Sequence, residues 1–178
     1  MNPEPTPEPS ALLLTGTVGS GKTTTAHALG ALLVAAGVPH AVVDLDALRY
    51  AWPSPPDDPF HERLELANLR DVARNHLAAG ARRLVLAGVL EDPAHRALHA
   101  EAVGVPLTVC RLRLALPVVA ERLRARHAGD PEGLDWHLRR SGELDAVLTA
   151  AGIGDVVVDV GVADTPDDVA RAVHALVP

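Results

Sequence analysis

Residues 16–23 read G-T-V-G-S-G-K-T, and this motif constrains the fold of the chain more than any other feature. It fits the pattern G-x-x-x-x-G-K-[ST], and it lies between an apolar run (residues 11–15) and a segment of helical character (residues 23–36). A strand, a glycine-rich turn and a helix in this order form a P-loop, whose backbone N–H groups cradle a phosphate at the helix N-terminus. In a P-loop, Lys22 reaches the β- and γ-phosphates, and the Thr23 hydroxyl holds Mg²⁺. The residues expected to bind a nucleoside triphosphate are Gly16, Thr17, Val18, Gly19, Ser20, Gly21, Lys22, Thr23 and Thr24.

The rest of the sequence alternates short apolar runs with longer amphipathic segments. The runs predict strands at residues 11–15, 40–44, 83–87, 107–112 and 155–159. The segments predict helices at residues 22–36, 61–79, 93–102, 117–126, 134–151 and 166–176. Apolar strands separated by helices form a parallel sheet that is covered on both faces. The sequence therefore predicts a three-layer α/β/α fold of the P-loop NTPase type, with a five-stranded parallel sheet.

Length and composition limit the organisation of the chain and its partners. A chain of 178 residues fits one domain, expected at residues 11–178, and the polar, proline-rich residues 1–10 read as a disordered tail. No apolar run approaches the roughly 20 residues of a membrane span. A net charge of −7 argues against a nucleic-acid partner. Cys110 is the only cysteine and lies in an apolar run, so we expect a buried thiol. The composition suits a cytoplasmic protein, and the size of the chain suits a monomer or homodimer.

Two carboxylates follow the second predicted strand, in the order Val43-Asp44-Leu45-Asp46. Ligands of open α/β sheets bind beyond the carboxyl ends of the strands, so this pair is expected beside the P-loop. A carboxylate in that place can accept the proton of an attacking hydroxyl, or can hold Mg²⁺ directly or through water. Asp44 is the first candidate for the base and also for the metal. Asp46 either shares the role or caps the next helix.

The third predicted strand has no acidic residue directly after its core. Glu91 and Asp92 come later, where they could either link to a metal or cap the next helix. This pattern argues against a motor-type or AAA-type ATPase.

The pattern of further residues resembles that of the P-loop kinases of small molecules. Adenylylsulfate kinase is the most similar of them, and gluconate, shikimate and chloramphenicol kinases are related enzymes. The pair of aspartates is followed by Arg49, and then by Phe60, Arg63 and the sequence Asn68-Leu69-Arg70, as in that family. The resemblance covers about residues 12–89. It implies that Arg49, Phe60, Arg63 and Asn68 line the acceptor pocket, and that the substrate is Mg-ATP.

The sequence also departs from adenylylsulfate kinase. Leu45 replaces the glycine between the two aspartates, and the lysine-rich lid of that enzyme is missing. An arginine-rich lid, about residues 127–145, is expected instead, with a hinge or turn at residues 129–133.

Arginines flank this lid. By resemblance, Arg122 stacks near the adenine and Arg126 faces the phosphates, where it would join Lys22 in catalysis. The turn at residues 161–166 would touch the adenine. Arginine suits these positions because its planar, permanently charged group makes two-point contacts with phosphoryl oxygens. Arg139 or Arg140 could close over the site from the other side, with Arg139 assigned to the substrate; the alternative for all these arginines is a solvated basic face.

Other signals are weaker. His95 and His99 share a helix face, but no third ligand is evident, so we expect two surface histidines rather than a zinc site. Trp52 could stack on an aromatic acceptor or anchor its loop to the core.

The motifs together predict a kinase that phosphorylates a hydroxyl group of a small molecule, such as a nucleoside, a nucleotide, a sugar acid or an antibiotic. The alternative is a nucleotide-binding NTPase or switch that acts on a protein partner.

Overall fold

The computed structural model describes residues 8–177, in which five strands are each followed by one or two helices. The strands are β1 (Ser10–Thr15), β2 (His40–Asp44), β3 (Arg83–Ala87), β4 (Leu107–Arg113) and β5 (Val156–Asp159). The helices are α1 (Lys22–Ala35), α2 (Leu45–Leu48), α3 (Glu62–Ala78), α4 (Pro93–Val103), α5 (Leu116–Arg126), α6 (Pro131–Ala150) and α7 (Pro166–Leu176). Residues 1–7 of the predicted disordered tail lie outside the described residues, and Ser10 already belongs to β1.

The five strands form one parallel sheet in the order β2-β3-β1-β4-β5. The central strand β1 leads directly into the P-loop. Because all strands are parallel, their carboxyl ends meet at one edge of the sheet, and the segments after β2, β3 and β4 gather around that loop. The predicted α/β fold class is confirmed.

Two apolar clusters pack on opposite faces of this sheet. Leu13 belongs to one cluster, with residues of α3, α4 and α6, while Leu12 and Leu14 belong to the other, with residues of α1, α5 and α7. Neighbouring side chains of a strand point to opposite faces, so β1 is buried from both sides. This packing produces three layers and explains why the strands read as continuous apolar runs.

Two helices differ from the prediction. The short helix α2 was not predicted, because its four residues are too few for a periodic pattern. Helix α6 begins at Pro131 rather than at residue 134, because the Asp130 side chain accepts a hydrogen bond from the Gly133 backbone N–H at 3.0 Å. Most of the predicted hinge at residues 129–133 is therefore the first turn of a helix. Within residues 8–177, no helix has the length and apolar character that a membrane crossing requires.

Candidate active site

The P-loop turns sharply between β1 and α1, and two of its glycines are required by this geometry. A Cβ atom on Gly16 would lie 2.6 Å from the backbone oxygen of Leu112, which is too close for any side chain. Gly21 has a φ of 92°, a left-handed conformation that glycine adopts at little cost. The loop can therefore bring its backbone N–H groups to the start of α1, where they face an anion.

Lys22 lies over this loop. Its Nζ donates hydrogen bonds to the backbone oxygens of Gly16 (3.1 Å) and Thr17 (3.0 Å). Burial of the ammonium group lowers the pKa of Lys22 to about 8, although the carboxylates of Asp46 and Asp44 oppose the shift. An ammonium group that is poorly solvated gains more from binding a polyphosphate than one already surrounded by water.

Asp44 connects the P-loop with the segment after β2. Its Oδ2 accepts a hydrogen bond from the Thr23 hydroxyl at 3.0 Å, and its Oδ1 accepts one from the Asp46 backbone N–H at 2.9 Å. The second bond caps α2, so of the two alternatives for Asp46 the capping role is excluded, and Asp44 fills that place. A hydroxyl and a carboxylate side by side are hard oxygen ligands, and they fit Mg²⁺. Within residues 8–177, no group of three or more His, Cys, Asp or Glu side chains is placed to hold a metal on its own.

A cleft of about 1010 Å³ opens in front of these residues. Its walls contain many of the residues predicted from the sequence: Val18, Gly19, Gly21, Lys22, Thr23, Thr24, Asp44, Asp46, Arg49, Phe60, Arg122 and Arg126. A smaller cavity of about 290 Å³ adjoins the other side of the P-loop, and Asp164 and Pro166 line it together with Arg122. The turn after β5 is therefore near the P-loop, where the resemblance places the adenine.

Three residues predicted for the acceptor pocket do not line the cleft. Arg63 is exposed and pairs with Asp57 (2.9 Å) in the loop before α3. The Asn68 side chain donates a hydrogen bond to the Leu48 backbone oxygen at 2.6 Å, so it fastens α2 to α3. These two predictions are corrected because the side chains are engaged with nearby protein groups.

Arg139 is the third such residue. It is exposed on α6 and pairs with Asp135 at 2.9 Å, and Arg140 takes the place in the cleft that was assigned to Arg139. Arg140 forms an ion pair with Glu91, and its guanidinium carbon lies 5.5 Å from the centre of the Phe60 ring.

The structure adds residues that the sequence did not indicate. They are Glu62 and His95, which pair at 2.5 Å, and Trp136 and His137 on α6. These residues could have been predicted from their positions along the helices, because each shares a helix face with a residue that points to the cleft or core. Glu91 lines the cleft, while Asp92 caps α4 by accepting a hydrogen bond from the Ala94 backbone N–H at 2.8 Å.

One further expectation is wrong, one of the two alternatives for Trp52 is excluded, and the expectation for Cys110 is confirmed. His99 is not a surface histidine: it is 1% exposed, and its Nε2 lies 3.1 Å from a carboxylate oxygen of Glu65. Trp52 is 92% exposed and does not anchor its loop to the core. Cys110 is fully buried as expected, and burial raises the pKa of its thiol to about 11.

Comparisons with known proteins agree with this architecture. Residues 8–91 match the family model of adenylylsulphate kinase. The structure of APS kinase from Mycobacterium tuberculosis, in complex with AMPPNP and APS, is 25% identical to the chain; the alignment covers 96% of this chain and 98% of that one, with a TM-score of 0.62.

Two other solved structures share the fold. The tunicamycin resistance protein of Deinococcus radiodurans is 24% identical over 96% of this chain and 95% of its own, with a TM-score of 0.64. A gluconokinase from Sinorhizobium meliloti is 22% identical over 95% and 91%, with a TM-score of 0.60. No curated protein sequence matches the chain. Because residues 8–91 match a kinase family model and the alignment with a nucleotide-bound kinase covers 96% of this chain, the comparisons support a P-loop kinase of the small-molecule type.

Proposed function

We propose that this kinase transfers the γ-phosphoryl group of Mg-ATP to a hydroxyl group of a small molecule. The observation that carries the proposal is the contact between Thr23 and Asp44 beside Lys22. This contact supports the proposal because a hydroxyl and a carboxylate that suit Mg²⁺ lie next to the lysine expected to reach the phosphates, at the edge of a cleft large enough for a second substrate.

The two aspartates divide their roles in this proposal. Both oxygens of Asp44 are engaged, one by Thr23 and one by the Asp46 backbone, so Asp44 suits metal binding with Thr23. Asp46 is 69% exposed in its side chain; one oxygen pairs with Arg49, and the other has no hydrogen bond within residues 8–177. Asp46 therefore orients the acceptor hydroxyl and receives its proton. The bound metal ion supplies positive charge to the phosphates.

Cationic side chains stabilise the phosphoryl group during transfer. Lys22 and Arg126 both line the cleft, and they are near enough for the charge of Arg126 to lower the pKa of Lys22. Two cations that lie close together repel each other until an anion binds between them. The transferring phosphoryl group is such an anion, because its oxygens carry negative charge. Arg122, beside Gly21, contacts the remaining nucleotide.

The test is phosphorylation of a panel of nucleosides, sugars and antibiotics, with products identified by mass. We expect a gain of one phosphate on at least one acceptor, and a loss of at least roughly 100-fold in kcat/KM for Asp44→Asn and for Asp46→Asn. Asp71→Asn is the matched control, because Asp71 forms an exposed ion pair with Arg74 on α3. ATP hydrolysis that ignores both the acceptor and Asp44 would instead support an NTPase or switch with a protein partner.

A further inference from the structure

We infer that the acceptor is a neutral or cationic molecule with hydroxyl groups and a flat ring, and not a phosphate, sulfate or carboxylate. The inference rests on the proposed function and names its substrate class. The observation behind it is the distribution of charged side chains between the two sides of the cleft. The order of the strands determines which segments form each side.

The side of the cleft that follows β4 carries the available cations. Arg122 and Arg126 lie on α5, and no carboxylate within residues 8–177 forms an ion pair with either of them. Together with Lys22 they face the P-loop. A nucleoside triphosphate is strongly anionic and needs these charges, so they are engaged when the acceptor reacts.

The side that follows β2 and β3 contains Arg49, and Arg140 reaches it from α6; each of these two arginines already has carboxylate partners. Arg49 lies between Asp46 (Nη2–Oδ1, 2.7 Å) and Glu65 (Nε–Oε2, 3.1 Å). Glu65 is 2% exposed, so an anionic acceptor that took Arg49 away would leave a buried carboxylate with less compensation. Arg49 therefore stabilises the site by pairing with two carboxylates, and it is poorly suited to bind an anionic acceptor.

Arg140 is neutralised in a similar way. It pairs with Glu91, its second nitrogen lies 3.9 Å from Glu143, and its guanidinium carbon lies 5.5 Å from the centre of the Phe60 ring, one side of which it faces. The resemblance implies arginines in the acceptor pocket, but both arginines in this part of the cleft are held by carboxylates of the protein itself.

Carboxylates exceed cations on this side. The acidic residues that line it are Asp44, Asp46, Glu62 and Glu91, against Arg49 and Arg140. If Asp44 is assigned to the metal, three carboxylates still face two arginines, and His95 is occupied by Glu62. An anionic acceptor would meet this excess negative charge, whereas a neutral or cationic one would find hydrogen-bond acceptors for its hydroxyl groups.

Two aromatic side chains complete the acceptor side. Phe60 and Trp136 line the cleft, and both are about half-exposed although they are large and apolar. Exposed aromatic faces in a binding cleft stack with flat rings. They account for the ring in the inferred acceptor.

The test measures charge preference directly, with AMPPNP and Mg²⁺ in the P-loop, and parallel reactions with Mg-ATP record by mass whether each probe gains a phosphate. Calorimetric titrations compare matched probes that carry a flat ring and a hydroxyl group but differ in charge: uridine with UMP, and tyrosol with tyramine and 4-hydroxyphenylacetate. We expect the neutral and cationic probes to bind at least roughly tenfold more tightly than their anionic counterparts. Glu91→Gln should reduce this preference about tenfold, while Glu101→Gln should leave it unchanged, since Glu101 pairs with Arg70 on the surface.

The outcomes separate this inference from the proposed function. Equal or tighter binding of the anionic probes overturns the inference, even if they become phosphorylated and the kinase activity stands. Neutral or cationic probes that bind but never gain phosphate support the charge preference and contradict the proposed function. If no probe binds, the cleft is not an acceptor site, and both the inference and the proposed function are overturned.

Discussion

A buried charged pair behind the cleft offers a quantitative test of how the site is supported. The Glu65 carboxylate on α3 lies between Arg49 Nε and His99 Nε2, each at 3.1 Å. The other ring nitrogen of His99 donates to the His95 backbone oxygen at 2.9 Å. Because both partners of the ring are acceptors, both hydrogen bonds form together when the imidazole is protonated.

The pKa of His99 reflects this arrangement. Burial lowers it, but the hydrogen bonds to Glu65 and to the His95 carbonyl, with the negative charges of Glu65 and Glu62, outweigh burial and raise it. A histidine whose pKa is higher in the folded state stabilises the fold at low pH. That contribution is complete below the unfolded pKa of about 6.5, and it is lost as the pH rises through the folded value.

The perturbation is His99→Leu, which fills most of the volume but removes one charge-assisted hydrogen bond. Such a bond contributes about 1.5–3 kcal/mol, and Glu65 keeps Arg49 as its remaining charged partner. We therefore expect the variant to lose about 2–3 kcal/mol in free energy of unfolding near pH 6. The loss should become smaller as the pH rises, because the wild-type stabilisation disappears.

Urea unfolding followed by circular dichroism, at several pH values between about 5.5 and 9, measures both quantities. His76→Leu is the control, since His76 is exposed on α3 and its replacement should cost less than about 0.5 kcal/mol. A His99→Leu deficit that stays constant with pH, or that equals the His76→Leu deficit, would refute the charged-pair argument.

Three other predictions concern the P-loop, the segment after β3 and helix α6. Lys22 is the only lysine of the sequence, so acylation of the free protein at a lysine should follow a midpoint near pH 8, and ATP should protect against it; a midpoint above about pH 10 would contradict the burial argument. Gly88→Ala should destabilise the protein by about 1–3 kcal/mol, because the added Cβ would lie 2.5 Å from Leu45 Cδ1. Gly142→Ala, in a part of α6 with no neighbour within 4 Å, should instead stabilise by about 0.5–1 kcal/mol in the same thermal or urea unfolding assay.

The fold could be predicted from the sequence because its signals are local. Each strand is a short apolar run, and the P-loop fixes which strand lies next to the first helix. The place of Asp44 follows from the same rule, since ligands gather beyond the carboxyl ends of parallel strands. The short helix α2 escaped prediction because it is held by a cap and by the Asn68 side chain rather than by periodicity.

Helix phase explains the errors on α6 and α4. Arg140 precedes the buried Leu144 by one helical turn, so the two share a face, whereas Arg139 points away and pairs with Asp135 on the exposed side. The buried positions of α6 could therefore have selected Arg140. His95 and His99 do share a face, as expected, but only the packing of α4 against α3 shows that this face is turned inward.

The charge of the acceptor depends on contacts that sequence spacing does not reveal. Several arginines in the sequence lie near the expected acceptor pocket, and arginine side chains suit an anionic or richly polar ligand. An arginine binds an external anion only if no internal carboxylate holds it, and the partner of Arg140, Glu91, lies 49 residues away in the chain. Glu65 reaches Arg49 only because α3 packs behind α2. The number of arginines in a motif therefore predicts a polar site, while their pairing in the folded protein decides which charge the site accepts.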